Sequence, residues 1–407
     1  MDSNLKLKVA KIEKFLFYFL CGFSISLPLS KAAANIFLTL ILITFFARIF
    51  YKRDDISKIF REYKNIFAAI IFLLAAVFIS ALVSDFPIAG VKRFLERYVL
   101  HMAIILPTIF ICFERQKIIL LTKLLLLGAF LTNLTVIIQA APKISADEVW
   151  RFGGVLSTMT QGSLLSMFLP IYILLALHLQ DRKLKIFCLI MSAVGMFSIL
   201  LTGTRGAWLA VLVLIPILIL IYAEKKLKHF GAILISVSIV GGIFLFTPAL
   251  SSRVATITDL KMQSNSERLL MWHSAFEMFK DNPIFGVGYG SYKVAYQEKY
   301  ISPLAKERNL EHAHNNFLQM LAECGMVGEL AFLAMIICFT YFCLKGWARE
   351  KNLAYLMFFS VLWGLVLHGV TEFNFETSMT SKIFWYSLGL CAAFCRKENL
   401  RGDFKNR

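Results

Sequence analysis

The feature that most constrains this chain is the recurrence of apolar runs long enough to cross a bilayer. They fall at roughly 15–30, 32–50, 66–83, 95–113, 118–139, 163–179, 186–201, 206–222, 231–248, 314–344, 353–371 and 380–395. In lipid only a helix or a closed barrel pairs every backbone N–H and C=O, and runs of this length suit helices. Composition agrees: 58% of the 407 residues are hydrophobic and 38 are phenylalanine, with a mean hydropathy of +0.69. The expected fold is an all-α polytopic membrane protein of about twelve transmembrane helices. Residues 1–247 are expected to hold helices one to nine, 248–313 one large loop, 314–395 helices ten to twelve, and 396–407 a basic tail. The first run follows a basic segment, but the second comes almost at once, so it reads as an uncleaved helix rather than a signal peptide.

The net charge is +17, and the placement of the cations matters more than their sum. Every second connection is basic, as at Arg48/Lys52/Arg53/Lys58, Arg182/Lys183/Lys185, Lys225/Lys226/Lys228 and Lys345/Arg349/Lys351. The alternate connections carry only Lys31, Lys92/Arg93/Arg97, Lys143/Arg151, Arg205 and Lys382. The positive-inside rule then puts both termini in the cytoplasm and the long loop outside. Basicity of this kind is a topology signal, so the expected surroundings are membrane lipids and nucleic acid is not an expected partner. The 8 cysteines lie in or beside the apolar runs without CxxC or Cys/His spacing, which argues against a disulfide framework and a zinc site.

Within the long loop, Ser264-Asn-Ser-Glu267 has the pattern of a capping box. A helix of about four turns is expected from Arg268 to Lys280, stopped by Asp281-Asn-Pro283. Its Leu269, Trp272, Phe276 and Phe279 share one side, which suits it to rest on the bundle or on lipid. Gly286-Val-Gly-Tyr-Gly290 reads first as a flexible turn cluster and only second as a phosphate cradle.

Three outward stretches collect the polar chemistry: Thr202-Gly-Thr-Arg-Gly206, Ser266-Glu-Arg268 and Glu311-His-Ala-His-Asn-Asn-Phe317. The first and third open apolar runs that go from outside to inside, so each presents a helix N-terminus, whose free N–H groups and positive dipole end favour an anion. Arg205 and Arg268 add planar forks that suit a diphosphate without a metal. Taken singly, a boundary arginine is more often a snorkelling anchor, and a His–Asn pair at a helix start is usually a cap. Their collection on one face is what makes a candidate site. His312 and His314, two apart, would lie about 200° apart on a helix, so one is expected to enter the site while the other supports it or faces solvent.

With those residues in view, the chain resembles the O-antigen ligase and polymerase superfamily of bacterial envelope glycosyltransferases. The resemblance rests on TGTRGAWLA at 202–210, SERLLMWHSAFEMFKDNPIFGVGYGSY at 266–292 and HAHNNFLQMLAECGMVGELAF at 312–332, and the ligase branch is the nearer. It implies a GT-C type fold, an inner-membrane location with a periplasmic site, and a metal-independent glycosyl transfer without a cofactor. The implied donor is an undecaprenyl-diphosphate-linked glycan, and the implied acceptor is a sugar hydroxyl of lipid A-core. By motif position Arg205 and Arg268 take the diphosphate-binding places and His314 the catalytic one, with His312 as the alternative base. Trp150-Arg-Phe-Gly-Gly154 resembles an Arg-x-x-Gly element, making Arg151 a further substrate contact, and Asn315 would orient the helix entrance. His368 and Glu372, four apart near the outer end of the eleventh run, either orient polar groups in the cavity or are solvated at the interface.

Three other readings compete. A polymerase of the superfamily would use the same residues with a second lipid-linked glycan as acceptor. A protein O-oligosaccharyltransferase usually carries a longer C-terminal region, which the short tail after Cys395 disfavours. A polyprenyl-glycan flippase would place charge at mid-membrane depth, whereas here the runs are nearly charge-free.

Overall fold

The computed structural model describes residues 3–52, 56–111, 114–143, 151–223, 255–256, 259 and 262–396. The expected span at 231–248, the first part of the long loop and the tail after Arg396 lie outside the described residues. Among the described residues every regular element is helical. Seven helices are long and apolar enough to cross a membrane. They are α2 (Lys31–Tyr51), α3 (Lys64–Leu82), α6 (Arg115–Ala140), α7 (Thr158–His178), α8 (Arg182–Thr202), α9 (Arg205–Tyr222) and α11 (Asn316–Glu350). Around them stand α1 (Ser3–Ser26), α4 (Pro87–Phe94), α5 (Ile105–Ile111), α10 (Gln263–Asp281), the short apolar α12 (Leu353–His368) and α13 (Ser378–Phe394). The architecture is that of a multi-pass membrane protein.

The core is where helices are covered on every side. Ser378 through Ala393 of α13 are all buried, and α12 packs against α7, α9, α11 and α13. A helix apolar around its whole circumference belongs in such a place. Outer helices instead leave Ile36, Ile43, Phe46 and Phe50 of α2 and Leu209 and Leu212 of α9 exposed, as a lipid-facing surface requires.

Three expectations are corrected. The run at 95–113 is not one regular α-helix over its described residues: α4 leads through a π-turn at Leu95–Val99 and a single turn at Leu100–Met102, and a break follows before α5. Pro107 lies just past that break, where it supplies no N–H to the carbonyl of Ala103 and its ring crowds it. The loop helix begins at Gln263 with Met262 as its cap, so the capping box at Ser264–Glu267 does not form. Its buried stripe is Glu267, Met271, Ser274, Ala275 and Met278, packed toward α11, while Leu269 and Phe276 point outward.

The third correction concerns α11, which breaks at Gly325 (φ 63°, ψ −161°) into a short segment 316–324 and a long apolar rod. The break is filled by the glycine cluster of the loop. Val287 and Gly288 donate to the carbonyls of Ala322 and Glu323 (2.9 and 3.0 Å), and Met326 and Val327 donate back to Pro283 and Ile284 (2.9 and 3.2 Å). The Tyr289 amide goes to Ser80 Oγ at 2.9 Å. Those amides are thus committed within the protein, and the glycines serve close backbone approach rather than a phosphate cradle. A Cβ at residue 325 would meet the Ile284 carbonyl oxygen at 2.4 Å in a conformation that only glycine adopts readily. Gly325→Ala is expected to cost about 1–3 kcal/mol, read as a lower unfolding temperature of the detergent-solubilised chain; an unchanged temperature would show the break to be dispensable.

Candidate active site

The TGTRG stretch forms the tight link between α8 and α9. Gly203 ends α8 in the left-handed region (φ 61°), Thr204 is extended and Arg205 opens α9. Gly206 lets the 368–371 segment approach closely, since a Cβ there would lie 2.0 Å from Thr371 Oγ1 and 3.3 Å from His368 Cδ2. The Arg205 guanidinium reaches across to the long loop, donating to Thr256 Oγ1 (3.0 Å), Ser264 Oγ (3.3 Å) and Asn265 Oδ1 (2.6 Å). All of these partners are neutral. The charges of Arg268 and Arg151 also act on Arg205. Arg151 itself is exposed, and its segment is pinned to the end of α8 by the Phe152 amide donating to the Leu201 carbonyl at 3.0 Å.

The HAHNN stretch is not helical at its histidines. His314 adopts φ 50°, a left-handed turn rare for a non-glycine residue. It folds the chain so that the His312 and His314 rings stand 4.2 Å apart at 69°, which overturns the expectation of opposed faces. Asn315 caps the short helix, accepting from the amides of Phe317 and Leu318 (2.9 and 3.1 Å), and donates to the Val370 carbonyl (2.8 Å). Asn316 ties the same segment to the 369–375 stretch. Its side-chain amide donates to Asn374 Oδ1 (2.7 Å), its carbonyl oxygen accepts from Asn374 and Phe375, and its backbone amide donates to the Gly369 carbonyl (2.7 Å).

Glu372 is the centre of this clasp. One carboxylate oxygen lies 3.0 Å from His314 Nδ1 and the other 3.8 Å from an Arg268 nitrogen. Burial opposes its ionisation, but the hydrogen bond from His314 and the charges of the three neighbouring histidines outweigh that, and the carboxyl is held down at about 2. His312 moves the other way for a base: burial first, then His314, push it down to about 4, so its ring is neutral near pH 7. His368, which the sequence grouped with Glu372, is buried instead against Ser163, with Nδ1 and Oγ 2.8 Å apart. The structure therefore joins His312, His314, Glu372 and Arg268, places Arg205 and Arg151 alongside, and leaves His368 in a supporting position.

Sequence reasoning missed how much rests on Thr371-Glu-Phe-Asn-Phe-Glu376. The signal was there, as four polar residues between two apolar runs. It also missed that His312, His314 and Glu372 bring ligand atoms within 4.8 Å of one another, a set that suits a metal ion by donor type. Arg268 beside Glu372 already supplies a positive charge to that carboxylate.

Residues 190–333 match the family model described as O-antigen ligase. The matched stretch spans Arg205, Arg268, His312 and His314, while Glu372 lies beyond it. The O-antigen ligase of Salmonella typhimurium is 27% identical over 156 residues, 37% of this chain and 38% of that protein. The ComP-specific O-oligosaccharyltransferase of Acinetobacter baylyi is 23% identical over 246 residues, 59% of this chain and 42% of that protein. An uncharacterized protein of Haemophilus influenzae is 23% identical over 238 residues, 54% of this chain and 60% of that protein. In each case the match spans less than two thirds of the relative's length.

The two depressed groups fix how the clasp responds to acid. His312 binds a proton in the unfolded chain below its ordinary 6.5 but in the folded one only near 4, and Glu372 does so at about 4.5 against about 2. In both windows the unfolded state holds more protons, so their stabilisation is lost as pH falls. The unfolding temperature is expected to drop between pH 7 and pH 4, less steeply in His312→Gln; parallel curves for the two proteins would contradict this.

Proposed function

We propose that the chain is a glycosyltransferase of the GT-C type, with the site on the periplasmic face of the bacterial inner membrane. In this reading it moves a glycan from undecaprenyl diphosphate to a sugar hydroxyl of lipid A-core. The observation that carries the reading is the His314–Glu372 pair at 3.0 Å beside Arg268, Arg205 and Arg151. With its Nδ1–H directed at the ionised Glu372, His314 presents a lone pair on Nε2. That nitrogen takes the proton of the acceptor hydroxyl while its oxygen bonds to the anomeric carbon. The bond from that carbon to the diphosphate breaks, and its electron pair leaves on the phosphate. Arginine forks and the N-terminus of α9 meet the growing negative charge where it develops, which is the condition for stabilising a transition state rather than merely binding substrate. Glu372 holds the imidazolium formed on His314, as the carboxylate of a hydrolase triad does.

A flippase reading calls for charge along a path through the bundle, whereas Arg205, Arg268, His312 and His314 stand before or within the opening turns of their helices. A polymerase would share every step up to the choice of acceptor. The similarity to a ComP-specific O-oligosaccharyltransferase favours a protein hydroxyl as the second reading of the acceptor.

General-base catalysis contributes about 10²–10⁴-fold. His314→Ala is therefore expected to lose at least about 10²-fold in transfer rate with donor binding retained, and His312→Ala less. A near-normal His314→Ala beside an inactive His312→Ala would exchange the two roles. Arg205→Lys keeps the charge but loses the fork, and should weaken both donor binding and turnover. Wild-type transfer by Arg205→Lys would reassign it as an anchor of the loop at Thr256, Ser264 and Asn265. Charge neutralisation by guanidinium groups predicts that activity survives EDTA; loss on chelation with recovery on adding a divalent ion would move His312, His314 and Glu372 into a metal site.

A further inference from the structure

A second set of cations lies at the same end of the bundle, on the far side of the loop that joins α12 to α13. That loop carries Glu372 to His314 and, four residues on, Glu376 to a different neighbourhood. There Glu376 accepts hydrogen bonds from Tyr98 (3.1 Å) and Tyr289 (2.8 Å) and pairs with Arg93 at 3.6 Å, so its charge is taken. Arg97, one turn past Arg93, donates to the Glu376 backbone carbonyl at 3.3 Å. Lys382 sits on the first turns of α13 and is only 2% exposed. Its ammonium donates to Ser378 Oγ at 2.8 Å and to Asn35 Oδ1 on α2. Lys31 precedes Asn35 by one helical turn and so shares its face. The charges of Lys31 and Arg97 act on Lys382, and no acid among the described residues pairs with any of the three.

A buried ammonium with only neutral acceptors and two like charges nearby is costly unless an anion joins it. His101 gives a second, independent sign. It is 3% exposed, its Nδ1 has no hydrogen-bond partner among the described residues, and the same three cations act on its ring. The α2 and α13 N-termini, with Ser30 and Thr377 as caps, both open here, adding two positive dipole ends. Lys31 and Asn35 are exposed, so the cluster runs from an open rim to a closed floor.

We propose that Lys31, Arg97, His101 and Lys382 form a seat for the phosphate of a lipid headgroup, separate from the His314 site. The exposed apolar flank of α2, with Ile36 and Ile43 below the rim, provides the surface on which acyl chains would lie, which is why a lipid phosphate fits better than a free one. The seat stands on its own geometry and does not depend on the chemistry assigned to His314. An acceptor lipid and a bulk anionic phospholipid offer the same group.

The test is native mass spectrometry of the full chain in neutral detergent, without glycan donor, with phosphatidylglycerol, phosphorylated lipid A-core or inorganic phosphate in separate arms. One or both lipids are expected to stay bound, and whichever does identifies the source. Lys31→Gln and Arg97→Gln should each weaken retention about fivefold, the effect of one cation near a lipid surface, while Lys280→Gln leaves it unchanged. Lys382→Met removes the buried charge and should lose most of the binding. Retention of both lipids unchanged in the Lys31/Arg97 double variant overturns the seat. Binding of inorganic phosphate with neither lipid retained overturns the lipid assignment. Because the readout involves no glycan transfer, either failure leaves the His314 reading untouched.

Discussion

Everything at the candidate site depends on one backbone-to-side-chain clasp, the pairing of residues 313–318 with 369–375. Asn316 and Asn374 exchange hydrogen bonds, Asn315 caps one segment while holding the other, and Gly369 has no side chain because a Cβ would lie 2.1 Å from Asn316 Nδ2. Gln319 accepts from the Ala313 amide at 2.7 Å and closes the turn from within. Buried polar groups are costly unless satisfied, and here Asn315, Asn316 and Asn374 satisfy one another and the facing backbone, while Gln319 Nε2 has no partner among the described residues. The left-handed turn at His314 is a strained conformation of the kind that persists only where its surroundings fix it.

From that clasp the division of labour follows. One loop of about nine residues between α12 and α13 delivers Glu372 to the histidines and Glu376 to the tyrosines, so two charged centres are built back to back at one end of an apolar bundle. The broken helix α11 lets the histidine segment approach at an angle unlike that of the rod below it. Pro283, Ile284, Val287 and Gly288 of the loop bond the freed backbone groups at the break, joining the long loop to the bundle by hydrogen bonds rather than by packing alone. Arg205 extends the same linkage from the other side by holding Ser264 and Asn265.

Much of this was legible in the sequence because its causes are local. Apolar runs at 32–50, 66–83 and 118–139 became helices within a few residues of their expected ends, and TGTRG announced a tight helix-to-helix link through Gly203. The polar stretches did gather at one end. What was not legible was non-local or depended on one backbone angle. Nothing within residues 264–267 tells that Ser264 and Asn265 serve Arg205 instead of capping their own helix, or that Glu267 turns inward to the amides of Lys306 and Glu307. A helical wheel cannot place His312 beside His314, because both precede the helix and His314 takes a left-handed turn. Pairing of His314 with Glu372 joins positions 58 apart in sequence, and no spacing rule reaches that far.

The central claim is that His314 and Glu372 act as one unit on the acceptor proton. A double-mutant cycle on glycan transfer measures it directly: His314→Ala, Glu372→Gln and the two combined, each with donor binding determined alongside. If the carboxylate works only through the imidazole, the combined variant is no slower than His314→Ala alone. Losses that multiply, with Glu372→Gln slowing the His314→Ala protein by its full single-variant factor, would show the two groups acting independently and contradict the account.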